Sequence, residues 1–316
     1  MPSVDIAVPC FQHGRFLRDC VESALNQGVE QIRVVVIDNA STDDSIAIAR
    51  QLGREDSRVE LIAHPKNLGP HASFNEGVDW ATADYFMVLC ADDLLTPGCL
   101  GRAVAILEAQ PELSFAYGTD VHWRGGDQPS VDDGAEAEWQ VTSGGEFIER
   151  CCRNPERYIA AGMVLVRTSI QKTVGHYRAE LPHTDDFEML LRLARRGPVA
   201  FTRAVQGIKR MHGANQTDAF LAERTRDLVE RLAAIDSFFE NEGSSMDEAD
   251  RLRRLGRRSI SERAYWCGMK DLMYGRMSGT RLLRLAVELD PTVAVFPPLN
   301  YLMRMRDVSR DNPAIY

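Results

Sequence analysis

The chain has 316 residues, of which 44% are hydrophobic and 26% are charged, and its formal net charge is −9. These fractions are typical of a globular protein and exclude a disordered tail protein or a fibrous repeat. The acidic total also argues against a general nucleic-acid binder, because phosphate contacts need clustered lysine and arginine.

The beginning of the chain has no basic segment followed by an apolar one, so we predict no secretory signal. The longest apolar run, residues 85–91, is far shorter than the roughly 20 residues that span a bilayer. The seven cysteines lack the spacing of a disulfide framework or a zinc site. These features together predict a cytoplasmic protein with reduced cysteines and no zinc.

Strands and helices alternate over the first 120 residues. Apolar, β-branched runs predict the strands, and amphipathic spacing predicts the helices. The predicted strands are residues 4–8, 33–37, 59–63, 85–90 and 114–117, and the predicted helices are residues 15–27, 45–52, 72–81 and 97–109, the last capped by Thr96. This alternation predicts an α/β fold, with a Rossmann-like, mostly parallel sheet and helices on both faces.

The pattern changes after residue 119. Adjacent glycines, a proline and an acidic run predict a loop over residues 121–142. Beyond it we predict a strand at 159–166, a helix beginning near Asp185, and two short strands at 199–202 and 205–211. From about residue 220 the pattern is helical, so we predict a first domain of residues 1–218 and a helical region of residues 219–316.

Basic residues concentrate in the helical region. Residues 251–306 carry a net charge of +8, which leaves −17 for the rest of the chain. Two interpretations follow. The region packs on the acidic first domain or forms a homodimer contact, which we favour, or it lies peripherally on the anionic inner face of a membrane.

Carboxylates follow several of the predicted parallel strands. Asp38 ends the second strand, while Asp92 and Asp93 follow the fourth. Ligands of open parallel sheets bind at this edge, and acids gathered there repel one another unless a cation offsets them. Mg²⁺ or Mn²⁺ bound to phosphate oxygens would do so. For residues 41–43 we weigh helix capping as an equal alternative.

Five motifs in order carry a resemblance to a known family. They are VVVIDNASTDD at 34–44, NLGPHASFNEG at 67–77, FMVLCADD at 86–93, VGHYRAELPHTDDFEMLLRLARRG at 174–197 and KRMHGANQT at 209–217. Together they resemble the nucleotide-sugar domain of the family-two inverting glycosyltransferases, which have a GT-A-type fold. The resemblance covers about residues 3–218.

The resemblance implies which residues bind the nucleotide. Pro9 and Phe11 match positions that contact the base. Asp38 matches the acid that hydrogen-bonds the base or ribose, and Asn67 lies in the second motif. All four are therefore predicted to contact the bound nucleotide sugar.

The resemblance also implies which residues carry the chemistry. Asp92 and Asp93 match the second and third positions of an Asp-x-Asp-like motif, with Asp93 as ligand of Mg²⁺ or Mn²⁺. Asp186 matches the catalytic base, and His212 matches a histidine near the diphosphate or the metal, which we predict as a second ligand.

The chain departs from the family pattern at two positions. Ala91 stands at the first position of the metal motif, where the family often has an acid or a small polar residue. The acidic pair before the last predicted helix of the first domain is Asp185-Asp186 rather than Glu-Asp, which keeps the second carboxylate in place.

We therefore predict a metal-dependent inverting glycosyltransferase that works by single displacement. The donor is a nucleoside-diphosphate sugar, with UDP the commonest nucleotide in such families, and the acceptor is a carbohydrate, lipid-linked or small-molecule hydroxyl. One alternative is a catalytically inactive nucleotide- or sugar-binding module, which Ala91 slightly favours. The other is a sugar nucleotidyltransferase, although residues 9–14 (PCFQHG) lack its basic, glycine-rich phosphate loop.

Overall fold

The computed structural model describes residues 1–131, 138–155, 164–213, 215, 223–299 and 301–302. Its contacts divide the chain into two compact units. The first unit comprises Met1–Gly144, Ile159–Ala179 and Arg192–Gly213, and the second comprises Gly145–Tyr158, Glu180–Leu191 and Ala214–Tyr316. Each unit therefore draws on separate stretches of the chain, whereas the predicted domains are contiguous.

A mixed sheet forms the centre of the first unit. Its strands, within the described ranges, are β1 (Ser3–Cys10), β2 (Gln31–Asp38), β3 (Val59–Ala63), β4 (Tyr85–Val88), β5 (Leu94–Leu95), β6 (Phe115–Trp123), β7 (Trp139–Thr142), β8 (Val164–Arg167) and β9 (Val199–Arg210). Their spatial order is β3-β2-β1-β4-β8-β6-β9-β5, and β7 also pairs with β9.

Six of the nine described strands run in the same direction. β1 pairs in parallel with both β2 and β4, and β2 pairs in parallel with β3. β8 runs antiparallel to both β4 and β6, so β6 and its parallel neighbour β9 run in the direction of β1. The predicted fold class, an α/β protein with a mostly parallel sheet, is confirmed.

Ten helices lie within the described residues. They are α1 (Gly14–Leu25), α2 (Ser45–Glu55), α3 (Pro70–Trp80), α4 (Cys99–Ala109), α5 (Gly144–Arg153), α6 (Thr168–Val174), α7 (Asp185–Ala194), α8 (Arg224–Glu240), α9 (Ala249–Met273) and α10 (Ser278–Leu289). None of them combines the length and the apolar composition that crossing a membrane requires.

The core of the first unit follows from its apolar runs. Residues 34–37 are fully buried, as expected for a strand covered on both faces. α1 buries Leu17, Cys20 and Val21 in the same cluster, because these positions share one face of the helix. The core thus holds the carboxyl ends of β1, β2 and β4 at one edge of the sheet.

The helix cap predicted at Thr96 is wrong. Its hydroxyl donates to the Val205 carbonyl (2.6 Å), and its amide donates to the Gln206 carbonyl (3.0 Å). α4 instead begins at Cys99, after Gly98 with φ of +70°. The hydroxyl that local sequence assigns to a helix end is therefore hydrogen-bonded to a residue more than 100 positions away in the chain.

The loop predicted over residues 121–142 is wrong at both ends. β6 continues to Trp123, and residues 139–142 form β7. The two strands predicted at 199–202 and 205–211 are one strand, β9, whose register against β6 shifts near Thr119. Of the strand predicted at 159–166, residues 159–163 lie outside the described part of the chain.

Small residues bring two helices of the second unit close together. A Cβ atom on Gly279 would lie 2.7 Å from the Gly268 carbonyl oxygen, closer than real Cβ contacts allow. The Ser261 hydroxyl also donates to the Ala286 carbonyl (2.7 Å). α9 and α10 therefore pack through backbone, and a larger residue at either glycine would force them apart.

Arginines of α9 pair with acids of the same unit. Arg251 contacts Glu149 of α5 at 2.8 Å. Arg253 and Arg257 share Asp236 of α8, at 2.8 and 2.6 Å. The positive charge of the helical region is therefore partly neutralised within its own unit.

Candidate active site

The loops after β1 and β2 are strained and joined to each other. Gln12 and Ala40, one in each loop, both have φ of +61°, which disfavours residues with a side chain. The Gln12 amide donates to Ser41 Oγ (2.9 Å), and its side-chain nitrogen donates to Thr42 Oγ1 (2.8 Å). Such strain persists only where surrounding contacts enforce it, and it clusters at functional sites.

Asp43 holds the beginnings of two helices. Its carboxylate accepts from the Gly14 amide of α1 (2.9 Å) and from the Ser45 amide of α2 (3.1 Å). A Cβ atom on Gly14 would lie 2.8 Å from the Ser45 nitrogen, so glycine is required for this approach. Asp43 therefore caps helices, which is the alternative that we weighed for residues 41–43. Its negative charge suits the positive ends of both helices.

Asp38 ends β2 with one oxygen unused. The residue is fully buried, and its Oδ2 accepts from the Ser41 amide (2.9 Å). Its Oδ1 has no hydrogen-bond partner among the described residues. Buried polar atoms are normally paired, so this oxygen fits a ligand that donates a hydrogen bond. Cys10, the last residue of β1, is in register with Asp38; Pro9 precedes it, and Phe11 just beyond is 40% exposed.

Asn67 braces the loop after β3. Its Oδ1 accepts from Asn39 Nδ2 (3.0 Å) and from the Gly69 amide (2.8 Å). Asn39 Oδ1 in turn accepts from the Leu68 amide (2.8 Å). These hydrogen bonds shape the edge of the site. The contact of Asn67 with a nucleotide stays a prediction.

Asp92 and His212 meet at the carboxyl edge of the sheet. His212 Nε2 lies 3.0 Å from Asp92 Oδ2. One ligand atom each from His13, Asp92 and His212 lie within 4.8 Å of one another. The His212 ring stacks on Phe16 at 4.9 Å between centroids, which limits its rotation. Burial lowers the pKa of His13, which favours the neutral imidazole that ligates metals.

Asp93 belongs to a second group of ligand atoms. Cys90, Asp92 and Asp93 also place one such atom each within 4.8 Å of the others. Asp93 is 5% exposed, and its Oδ1 accepts from the Arg210 amide (3.1 Å). Burial, followed by the charge of Asp92, raises the pKa of Asp93 to about 8. A cation beside this pair would relieve that repulsion.

These donors fit a divalent cation. Carboxylate oxygens suit Mg²⁺ and Mn²⁺, and neutral imidazole nitrogens favour Mn²⁺ over Mg²⁺. The two predicted ligands, Asp93 and His212, belong to different groups, and Asp92 is the residue common to both. The sequence motif gave the ligand role to Asp93, and that role stays a prediction.

The predicted base lies in the second unit. Asp186 is the second residue of α7, and its Oδ1 accepts from the amide of Phe187 (2.7 Å). The Asp186 side chain is half-buried, whereas the neighbouring Asp185 is only 7% exposed. Its convergence with Asp92 and Asp93 stays a prediction.

Two residues of the ligand groups, His13 and Cys90, carry only a weak signal in the sequence. The available signal was position, because His13 follows β1 by three residues and Cys90 follows β4 by two. Residues just beyond the carboxyl ends of parallel strands face the ligand edge of such a sheet.

The grouped acids and histidines lie at the carboxyl edge of the parallel strands, which is where open α/β sheets bind their ligands. Residues 5–175 match the sequence model of Glycosyl transferase family 2. The chain belongs to this family. The predictions of the family and of the fold are therefore confirmed.

Curated relatives share parts of the chain. A Haemophilus influenzae protein described as an uncharacterized glycosyltransferase is 37% identical over 118 residues, which cover 37% of this chain and 47% of that protein. The chondroitin synthase of Escherichia coli is 25% identical over 216 residues, 68% of this chain and 30% of the synthase. The match thus spans less than half the length of either relative.

Solved structures share the fold over most of the chain. S. aureus TarS residues 1–349, in complex with UDP-GlcNAc, has a TM-score of 0.58 at 13% identity, covering 92% of this chain and 91% of that one. The mannosyltransferase PcManGT of Pyrobaculum calidifontis, in complex with GDP-Man and Mn²⁺, has a TM-score of 0.61 at 14% identity, covering 100% and 81%.

Proposed function

We propose that this chain is a metal-dependent inverting glycosyltransferase that transfers a sugar from a nucleoside-diphosphate sugar to an acceptor hydroxyl. The observation that carries the proposal is the buried Asp92 carboxylate, 3.0 Å from His212 at the ligand edge of the sheet. The Oδ1 of Asp38, at the end of β2, has no hydrogen-bond partner in the described part of the chain, which supports a nucleotide at the same edge. The nucleotide sugars bound by TarS and PcManGT are consistent with this donor class.

The chemistry is a single displacement. The acceptor oxygen forms a bond to the anomeric carbon as the bond from that carbon to the diphosphate breaks, and the electron pair leaves with the nucleotide. Asp186 accepts the hydroxyl proton during attack, because the pKa of an alcohol is far above 7. Attack opposite the leaving diphosphate inverts the anomeric centre.

Asp92, Asp93 and His212 are the residues that we propose to hold Mg²⁺ or Mn²⁺. When bound, the ion would offset the negative charge of the diphosphate leaving group. Phe16 stacks on His212 and keeps its Nε2 turned toward Asp92. The Arg210 amide holds Asp93 through one oxygen, which leaves its other oxygen for a ligand.

Calorimetry and an activity assay test the proposal together. UDP is titrated with and without Mn²⁺, and a panel of UDP-sugars is then tested for hydrolysis and for transfer to added acceptors. We expect Mn²⁺-dependent binding and turnover of at least one donor. Binding without turnover would favour the inactive module, and formation of a nucleotide sugar from a nucleoside triphosphate and a sugar phosphate would favour the nucleotidyltransferase.

The unpaired oxygen of Asp38 yields a second test. Asp38→Asn keeps the size of the side chain but removes its charge and turns an amide toward the ligand. Because a charge-assisted hydrogen bond contributes about 1.5–3 kcal/mol, we expect UDP affinity to fall about 10- to 100-fold. Asp44→Asn, an exposed acid in the same loop without a side-chain cap, serves as control. Unchanged UDP affinity in Asp38→Asn would contradict the role.

The partner of the helical region stays a proposal in two forms. Met273, Tyr274 and Met277, around the turn between α9 and α10, are at least 70% exposed. Phe296, beyond α10, is 73% exposed. These side chains would suit a homodimer contact or a peripheral contact with an anionic membrane carrying a lipid-linked acceptor.

A further inference from the structure

A buried polar network in the second unit ties the segment before Asp186 to α8. His183 Nε2 lies 3.1 Å from Asp227 Oδ1, and Arg231 Nε donates to the same oxygen (2.9 Å). The side chains of all three residues are at most 12% exposed. Arg231 also donates to the Pro155 carbonyl (2.6 Å). Asp227 and Arg231 of α8 thus connect this helix to His183 and to Pro155.

A second bond fastens the next residue of the same segment. The Thr184 hydroxyl donates to the Glu230 carbonyl of α8 (3.0 Å), and Thr184 is 2% exposed. The Thr184 carbonyl accepts from the Glu188 amide (3.0 Å), the bond that begins the first turn of α7. His183 and Thr184 are therefore held by α8 at the point where α7 starts.

Stability is a weak explanation for this network. Burial raises the pKa of Asp227, but its bonds to His183 and Arg231 outweigh burial and leave the pKa below its ordinary value. The unit therefore buries an ionised carboxylate. Buried ion pairs contribute little net stability compared with well-packed apolar residues, and their attested use is to specify one arrangement.

We propose that α8 positions the catalytic base through two contacts, His183 Nε2 with the Asp227 carboxylate and the Thr184 hydroxyl with the Glu230 carbonyl. The proposal rests on the function above, because it takes Asp186 as the base. Asp186 lies two residues beyond Thr184, in the turn that these bonds begin. A general base must stay within about 0.5 Å of its productive position, and a misplacement of about 1 Å costs on the order of 100-fold in rate. Asp227 and Thr184 are thus positioning residues.

Thr184→Val, His183→Leu and Asp227→Asn test the proposal in the full chain. Thr184→Val keeps the shape of the side chain and removes only the bond to Glu230. We expect kcat to fall about 10- to 100-fold in each variant, with KM for the nucleotide sugar and UDP affinity unchanged. Thr184→Ser restores the hydroxyl and should restore most of kcat.

Asp236→Asn is the matched control. Asp236 lies on the same helix and pairs with two arginines of α9, so its replacement disturbs the helical unit without touching residues 183 and 184. Its kcat should equal that of the wild-type protein.

Wild-type kcat in Thr184→Val and Asp227→Asn, with Asp186→Asn inactive, would overturn the positioning role and leave the proposed function intact. The positioning role would also be overturned if Asp227→Asn and Asp236→Asn both lost kcat in proportion to their loss of thermal stability. An active Asp186→Asn would instead refute the base assignment. If Asp227→Asn does not fold, Thr184→Val still decides the question.

Discussion

Asp186→Asn is expected to lower the rate of sugar transfer by about 10²- to 10⁴-fold, the usual contribution of a general base. The amide has nearly the shape of the carboxylate but does not accept the acceptor proton at neutral pH. UDP affinity in the presence of Mn²⁺ should not change, because the nucleotide residues proposed above belong to the first unit. Transfer kinetics and calorimetry on the same protein separate the two effects.

Asp250→Asn is the control for this experiment. Asp250 is the second residue of α9, as Asp186 is of α7, so both changes remove a negative charge from the first turn of a helix in the second unit. Asp250 is exposed and has no proposed role, so its variant should transfer sugar normally. Near-normal turnover in Asp186→Asn would show that another group takes the proton.

Local sequence predicts the parallel half of the sheet well. The predicted and observed bounds of β3 are the same, and β1, β2 and β4 differ by one or two residues at their ends. Residues 34–37 of β2 and all of β4 are apolar and buried because both faces are covered, which makes the signal strong there. β5 has only two residues and pairs with β9 from more than 100 positions away, and no local pattern reports such a partner.

Some features of the candidate site can likewise be predicted from the sequence, and others cannot. The acids Asp38, Asp92 and Asp93 can be predicted because carboxylates directly after buried strands are conspicuous. The unpaired oxygen of Asp38 and the contact of Asp92 with His212 cannot, since both depend on side-chain directions set by tertiary packing. His13 and Cys90 carried only a positional signal, and the strain at Gln12 and Ala40 carried none, because neither residue is glycine.

Replacing the proposed metal ligands is expected to give the second large effect. We expect Asp92→Asn to abolish transfer and to weaken Mn²⁺-dependent UDP binding by more than the roughly 10- to 100-fold that loss of an outer-shell partner costs. Asp92 is common to both ligand groups, so its loss removes a carboxylate from either one. Asp93→Asn and His212→Asn should show the same loss, and Asp93→Asn keeps an oxygen for the Arg210 amide. Calorimetry of UDP with and without Mn²⁺ measures the effect.

His122→Asn controls for the loss of an imidazole in the first unit. His122 is 43% exposed and pairs with Asp120 at 3.2 Å, outside both ligand groups, so its variant should bind UDP and Mn²⁺ normally. If His212→Asn loses Mn²⁺ while Asp93→Asn keeps it, the ion lies with Asp92 and the histidines, and the ligand role assigned to Asp93 is wrong. If Asp92→Asn keeps the wild-type dependence on Mn²⁺, the metal does not bind at this edge of the sheet, because neither ligand group is complete without that carboxylate.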